Sequence, residues 1–473
     1  MSRVGSFVKG SLILAISNIF LKAIGFILLP FYTRCLTPDL LGVNDTIVNF
    51  TALFFAMLMM ALDSAFGAFY FDEDSDLYRN RVFGTVRTVL ALASSAAFLA
   101  MFFSPALSLL IFGAPEYAAA ICFSLAGVAL NLWHVPFALR VRMQNRMGLF
   151  AAVGVISSVL MTLSNILLLA VFNAGYYALI LGTLVSHAVQ LLLYLAFTGP
   201  PVKFRVFDVG LLRAMLRYSL PLLPITLANW VITLSDRYVL LFFGYSKADV
   251  GLYGAASRFV AILSVLTGAV FTAYPAFAFK AKREDEGRKD FPRVLNVFFV
   301  LLSFVCLFIS VFGKEIIRLM TAAEYHDAYR LLPELMFAQL AYGLSVLVGY
   351  GMAFAKKSVF SSLSVWAGAL VNVAANIALV PRFGLSAAVA TTLASCCVML
   401  VLNYVFAQRL YPCRYEAGRI VPVFAGLYAV SALARDLSFA PKTALWAAAM
   451  AALIYVFRES VFELLERLRR QRV

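Results

Sequence analysis

Apolar runs, each about as long as a bilayer is thick, follow one another through the whole chain, with only short polar loops between them. About 20 apolar helical residues cross the ~30 Å hydrocarbon core. An α-helix satisfies its backbone hydrogen bonds within its own segment, as lipid demands. The pattern therefore predicts an all-α polytopic membrane protein. We read about fourteen spans, at residues 11–33, 46–71, 85–112, 117–139, 149–172, 175–197, 218–243, 252–279, 294–312, 331–354, 359–380, 385–407, 418–434 and 442–458. The longest loops run to only about 20 residues, so no inserted soluble domain is expected. The first run is too long for the apolar core of a signal peptide, and no small-residue cleavage site follows it.

Only 13% of the residues are charged, against about 25% in soluble proteins. The net charge is nevertheless +15. Its placement argues against nucleic acid as a partner. With the N-terminus in the cytoplasm, inward loops carry 27 Lys and Arg and outward loops eight, and Lys22, Arg87, Arg237 and Arg258 lie within or at the ends of spans. That bias is the positive-inside rule, and it predicts an even number of spans with both termini cytoplasmic. The basic tail at 464–473 reads either as contact with anionic headgroups or as a solvated helix end.

The chain also repeats itself. Asn165-Ile166 matches Asn376-Ile377, and Phe172 and Phe383 each follow seven residues after their Asn. Gly175 then matches Gly384, Thr183-Leu184 matches Thr392-Leu393, and Ser186 matches Ser395. A second match, LLGVND at 40–45 with DVGLYG at 249–254, pairs Gly42 with Gly251 at nearly the same offset. Two matches at one offset point to duplication. Six spans are an even number, so both halves share one orientation, as parallel repeats about an axis along the membrane normal. The expected organisation is a six-helix bundle over 1–199, a second over 200–410, and two peripheral helices with a basic cytoplasmic tail over 411–473. The two bundles are expected to be related by a pseudo-two-fold axis.

Several polar residues intrude into the apolar runs. Asp236 and Arg237 lie within the stretch 220–243, where a charge at bilayer depth costs about 2.5–3.5 kcal/mol on insertion scales. Thr226, Asn229, Thr233 and Asp236 share one helical face, with Arg237 one step round, so the two charges are expected to have different partners. Asp236 reads as an ion-coupling group, a gate or an inter-helix clamp. In the first span Ser11, Asn18, Lys22 and Gly25 share a face, and Lys22 is either a cavity-facing cation or half of an ion pair. Asp63 reads as a proton or cation site or as the partner of a buried cation. Arg258 lies inside the outer end of its span. Arg34 ends the first span against the general charge bias. Arg140 closes the fourth span, where an ordinary positive-inside residue is the competing reading. Convergence of Lys22, Arg34, Arg237 and Arg258 would make a cationic chamber suited to a phosphate or pyrophosphate.

No catalytic or metal site is expected. His134, His187 and His326 are not paired at metal spacing, and the six cysteines show neither CxxC nor CxxxC. No Walker A loop, GxSxG or HExxH occurs. The chain therefore reads as a non-enzyme without a cofactor, driven by an ion gradient, the membrane potential or the gradient of its substrate.

A set of stretches resembles a known family. They are FILLPFYTRCLTPDLLGVNDTI at 26–47, LDSAFGAFYF at 62–71, FALRVRMQNR at 137–146, RYSLPLLPITLANWVITLSDRYVLLFFGYSKADVGLYGAASRF at 217–259 and AFAKKS at 353–358. Together they resemble the polysaccharide transporters, or O-antigen and lipid-linked oligosaccharide flippases, of the multidrug/oligosaccharidyl-lipid/polysaccharide (MOP) superfamily, over spans 1–12. One departure is Gly67-Ala68, where relatives carry an arginine. The resemblance implies flipping of a polyprenyl-pyrophosphate-linked saccharide to the outer leaflet of a prokaryotic plasma membrane by alternating access. It also implies cell-surface polysaccharide synthesis, a monomeric transport unit, and polysaccharide-assembly proteins as partners beside the bilayer. The competing readings are a peptidoglycan-precursor flippase, a cation-coupled drug exporter and a membrane-embedded glycosyltransferase.

Overall fold

The structure, a computed structural model, describes residues 17, 24–198, 206–281, 288, 290–355 and 357–460. Among them every regular element is a helix. The α-helices are α1 (Leu29–Cys35), α2 (Pro38–Met59), α3 (Leu62–Phe69), α4 (Asp76–Met101), α5 (Ser104–Phe112), α6 (Ala118–Met143), α7 (Met147–Ala170), α8 (Tyr177–Thr198) and α9 (Val209–Ser219). The series continues with α10 (Leu223–Leu234), α11 (Asp236–Phe242), α12 (Lys247–Ala281), α13 (Asp290–Val311), α14 (Gly313–Met320), α15 (Leu332–Phe354), α16 (Ser358–Leu410), α17 (Ala417–Ala434) and α18 (Phe439–Val456). Twelve stretches of the described residues are long and apolar enough to cross a membrane. One of them, Val359–Leu410, covers two expected spans, while most of the expected span 11–33 lies outside the described residues. About fourteen crossings are compatible with this.

The joints follow local chemistry. Pro221 and Pro224 interrupt the run from α9 to α10, and a 3-10 turn at Leu220–Leu222 takes up the bend. Consequently the expected span 218–243 is not one helix, and Val209–Leu234 is the membrane-length stretch. Left-handed backbone at Met60 and Ala61 breaks the expected span 46–71 between α2 and α3. In α16, Gly384 takes φ 56° and ψ −132°, and there the chain reverses. The reversal is visible in a hydrogen bond of 2.5 Å from Thr391 Oγ1 to Asn376 Oδ1. In a straight helix those two residues would stand about 22 Å apart. The matching glycine of the first half, Gly175, takes φ 57° before α8. Both positions need the left-handed conformation that glycine adopts without steric cost.

The chain divides into two compact units. Unit 1 contains Cys35–Trp230 and Gly244–Gly251, and unit 2 contains Gly25–Arg34, Val231–Phe243 and the chain from Leu252 onward. Within unit 1, the matched glycines Gly42 and Gly251 make a reciprocal close approach. A Cβ at Gly42 would meet the Lys247 carbonyl, and a Cβ at Gly251 would meet the Pro38 carbonyl, each four residues before the partner glycine. In unit 2, α17 and α18 pack on α13 and on each other. Lys442 of α18 is fully buried, bonding the Glu315 carboxylate at 2.9 and 3.0 Å. Trp446 packs against Phe304, Phe308 and Phe312 with ring centroids 5.7–6.1 Å apart.

Lipid inverts the usual burial logic. Phe102, Leu110, Phe242 and Leu319 are each at least 80% exposed, which costs nothing against acyl chains. The informative interior residues are therefore the polar ones. Small contacts and interhelical hydrogen bonds, rather than apolar burial, drive association there.

Candidate functional site

Between α10 and α11 Ser235 keeps helical backbone, its N–H on the Val231 carbonyl at 3.3 Å and its own carbonyl accepting from the Val239 N–H at 3.2 Å, and Asp236 is the first residue of α11. Asp236 is completely buried. Tyr253 of α12 donates its hydroxyl to Oδ2 at 2.6 Å, and the Thr392 hydroxyl reaches the same oxygen at 2.6 Å. On Oδ1 the amides of Asn376 and Asn372 donate at 2.7 and 3.4 Å. These partners are held in turn: Thr391 donates to Asn376 Oδ1, and Ser235 to Asn372 Oδ1 at 3.3 Å. The reversal at Gly384 makes the cluster possible, because it returns Thr391 and Thr392 to the level of Asn376. Among the described residues no basic side chain pairs with Asp236; its partners are hydroxyls and amides. A buried carboxylate without a cationic partner is expensive, and the four hydrogen bonds offset only part of that cost.

Arg237 points elsewhere, as expected for adjacent helical residues. Its guanidinium lies over the Tyr253 ring, 4.5 Å from the centroid. It donates to the Thr233 carbonyl at 2.8 Å and to the Ser257 hydroxyl at 3.2 Å, while its Nε has no hydrogen-bond partner among the described residues. Tyr253 thus joins the two charges, with its ring under the cation and its hydroxyl on the carboxylate.

Beside this cluster lies a cavity of about 530 Å³, lined wholly by unit 2 residues. Thr233, Arg237 and Tyr253 stand in its wall together with Gln339, Tyr342 and Thr392. Unit 1 has a smaller cavity of about 240 Å³, with Thr51, Ser124, Asn131, Thr183 and His187 in its wall. His187 Nδ1 stands 3.3 Å from His134 Nε2. No residue lining that cavity is an acid, lysine or arginine.

Of the residues singled out in the sequence, Asp236 and Arg237 are the two at this cluster. Arg258 is half-buried on α12, next to Ser257 but not in the cavity wall. Arg34, also in unit 2, is exposed at the end of α1. The rest of the described set belongs to unit 1. There Asn229 donates to the Ile225 carbonyl at 3.0 Å, and Asp63 is exposed at the start of α3. Arg140 bonds Asn80 at 3.1 Å and lies over the Phe83 ring at 4.8 Å. Asn18 and Lys22 lie outside the described residues. Sequence reasoning missed Tyr253 and Asn372 as site residues, and treated Asn376 and Thr392 as landmarks of the repeat. The repeat itself was the available signal: it marks two polar positions inside apolar runs.

The family model of polysaccharide biosynthesis proteins matches residues 31–330. No curated protein sequence matches the chain. Among solved structures, the lipid II flippase MurJ in an inward closed conformation superposes with a TM-score of 0.67 at 14% identity, covering 96% of this chain and 100% of that one. An inward-facing multidrug resistance MATE family transporter of the MOP superfamily gives 0.63 at 14% identity, covering 84% of this chain and 97% of that one. The MATE multidrug transporter DinF-BH gives 0.60 at 17% identity, covering 85% of this chain and 95% of that one. At these identities the likeness is one of fold.

Proposed function

The chain belongs to the polysaccharide biosynthesis protein family, whose structural neighbours here are transporters and flippases of the MOP superfamily rather than enzymes, and we propose that it flips a polyprenyl-pyrophosphate-linked saccharide from the cytoplasmic to the outer leaflet. It does so in a prokaryotic inner membrane with both termini cytoplasmic, by alternating access of two six-helix bundles over 1–199 and 200–410. It works as a monomeric transport unit beside polysaccharide-assembly proteins. The observation that carries this reading is Arg237. It is a buried guanidinium in a cavity wall, has no carboxylate partner among the described residues, and has two donors spent on Thr233 and Ser257. Of the five N–H groups of an arginine fork, those left over suit a pyrophosphate, which such a fork binds bidentately. On this reading Lys22, Arg34 and Arg258 are further cationic groups for the substrate, and Asn18 and Asn229 neutral hydrogen-bonding ones. Arg140 acts at the cytoplasmic end.

The drive comes from an ion gradient acting at Asp236, with Asp63 as a secondary acidic group. With only neutral donors around it, the buried Asp236 charge is compensated when a coupling ion binds beside it. Binding that ion in one conformation better than in the other biases the cycle.

The test is a deletion strain, scored for the lipid-linked intermediate that accumulates on the cytoplasmic leaflet. Wild-type protein restores export; Arg237→Ala inserts at normal level but leaves export at background. Wild-type export by Arg237→Ala would remove the phosphate role. Accumulation of a peptidoglycan precursor would favour the lipid II type of substrate instead.

A further inference from the structure

One helix belongs to both units. α12 is continuous from Lys247 to Ala281, and no proline falls in it before Pro275. Its first turn lies in the stretch Gly244–Gly251, which belongs to unit 1, while the helix from Leu252 onward belongs to unit 2. That turn is firmly made. Ser246 Oγ accepts from the Asp249 N–H at 3.1 Å, and the Asp249 carboxylate accepts from the Ser246 N–H at 3.0 Å, a reciprocal capping box. A capped helix with no proline in its first turns moves largely as one piece. It cannot stay with both units when they move relative to each other, as alternating access requires.

The hold on unit 1 has two parts. At the crossing with α2, Gly42 and Gly251 bring backbone against backbone, and a side chain on either would enter a carbonyl of the other helix. Small residues permit that approach, which packs well inside a membrane. Such a fit has two discrete arrangements, docked or apart. The second part is Lys247. Its ammonium donates to the Tyr117 hydroxyl and lies 4.4 Å from the centroid of that ring, with a Glu116 oxygen 3.8 Å away. Tyr117 is a fixed socket, buried with the Phe112 and Tyr176 rings at 4.5 and 6.0 Å. The side chains of Lys247 and Glu116 are 29% and 64% exposed, and an ion pair so open to solvent adds little. A close backbone fit secured by a weak, wetted clip can be released without breaking anything in either unit's core.

We propose that the first turn of α12 is a latch. Docked on α2 through Gly42 and Gly251, with Lys247 in the Tyr117 socket, it holds shut the end of the path that the proposed orientation places outside. Undocked, it travels with the rest of α12 and that end opens. The two glycines decide whether the closed state can form, and Lys247 sets how long it lasts. The proposal rests on the alternating-access reading above and names residues that reading does not use.

The experiment uses the full chain with its six cysteines replaced by alanine, in right-side-out membrane vesicles. Thr46 is fully buried one turn along from Gly42 on the same face of α2. Thr46→Cys therefore reports undocking by its reaction with a membrane-impermeant maleimide. Adding Lys247→Met speeds that reaction about threefold or more. Adding Gly251→Ala, whose methyl group bars docking, speeds it at least about tenfold and stops export. Folded Gly251→Ala protein that reacts no faster than its parent would overturn the latch. Separately, Glu116→Cys and Lys247→Cys are bridged with a disulfide-containing bis-maleimide; export stops and returns when the bridge is reduced. Unchanged export with the bridge closed would mean that the contact is permanent, refuting the latch while the carrier reading stands. If the parent moves no lipid-linked saccharide, the carrier reading fails, and the Thr46→Cys reaction alone decides the latch.

Discussion

Asn165 and Asn376 occupy matching places in the two units, each seven residues before a phenylalanine, yet only Asn376 reaches a carboxylate among the described contacts. The residues around them explain the difference. Thr391 bonds Asn376 in unit 2, whereas the matching position in unit 1 is Gly182, whose missing Cβ leaves room for the Asn165 amide oxygen. The Thr183 hydroxyl donates to a carbonyl four residues back at 2.9 Å, whereas Thr392, with the equivalent Ala388 carbonyl at 3.0 Å, has Asp236 nearer, at 2.6 Å. One cavity is neutral and holds a histidine; the other holds Arg237 beside a buried acid. A polar joint occurs twice in the chain, and a few side chains make one of the two electrically active.

Several substitutions would break or sharpen that contrast. The largest effect is expected from Asp236→Ala, which orphans up to four buried donors at about 1–3 kcal/mol each. Loss of folded protein, read by size-exclusion profile and thermal unfolding, is the outcome; an unchanged melting temperature would contradict the cluster. Next, Asn376→Leu lowers transport about tenfold or more and Asn165→Leu less than about threefold, since only the first loosens a bond to a charge. Equal losses would mean that the two joints are equivalent. Third, Gly182→Ala overpacks its asparagine and costs about 1–3 kcal/mol, whereas Thr391→Ala removes one hydrogen bond worth about 0.5–1.5 kcal/mol. Denaturant unfolding of the pair checks the order.

The smallest effect concerns a carboxylate of the opposite kind. Asp436, in the loop between α17 and α18, is held below the usual carboxylate range by the Tyr329 hydroxyl at 2.6 Å and then by Arg435. A lowered folded value means that its contribution is present above the ordinary carboxylate pKa and is lost as pH falls through the lowered one. Tyr329→Phe should therefore lose a small part of the acid dependence of stability, as exposed pairs do. Melting temperatures from about pH 5 down to about pH 3, either side of the ordinary carboxylate value, would show it.

Much of the architecture is legible in the chain because the bilayer fixes both the length and the type of each element. Runs such as 149–172 and 294–312 reappear as α7 and α13 within a few residues. The failures are at joints set by backbone: Pro221 and Pro224 on either side of the start of α10, left-handed Met60 and Ala61, and the joint between α10 and α11 at Ser235. At the site, the separate partners of Asp236 and Arg237 follow from helical geometry. The identity of those partners does not, because Asn372, Asn376 and Thr392 lie 136–156 residues away and converge only after the chain reverses at Gly384.

The most direct test of the account is gradient-driven transport by Asp236→Asn, which keeps the shape of the buried side chain and removes its charge. Reconstituted wild-type protein should move polyprenyl-pyrophosphoryl saccharide faster under an imposed proton or sodium gradient. The variant, folded and inserted, should show the same slow rate with and without the gradient. A variant that answers the gradient as wild type does would show that Asp236 is not where the ion acts.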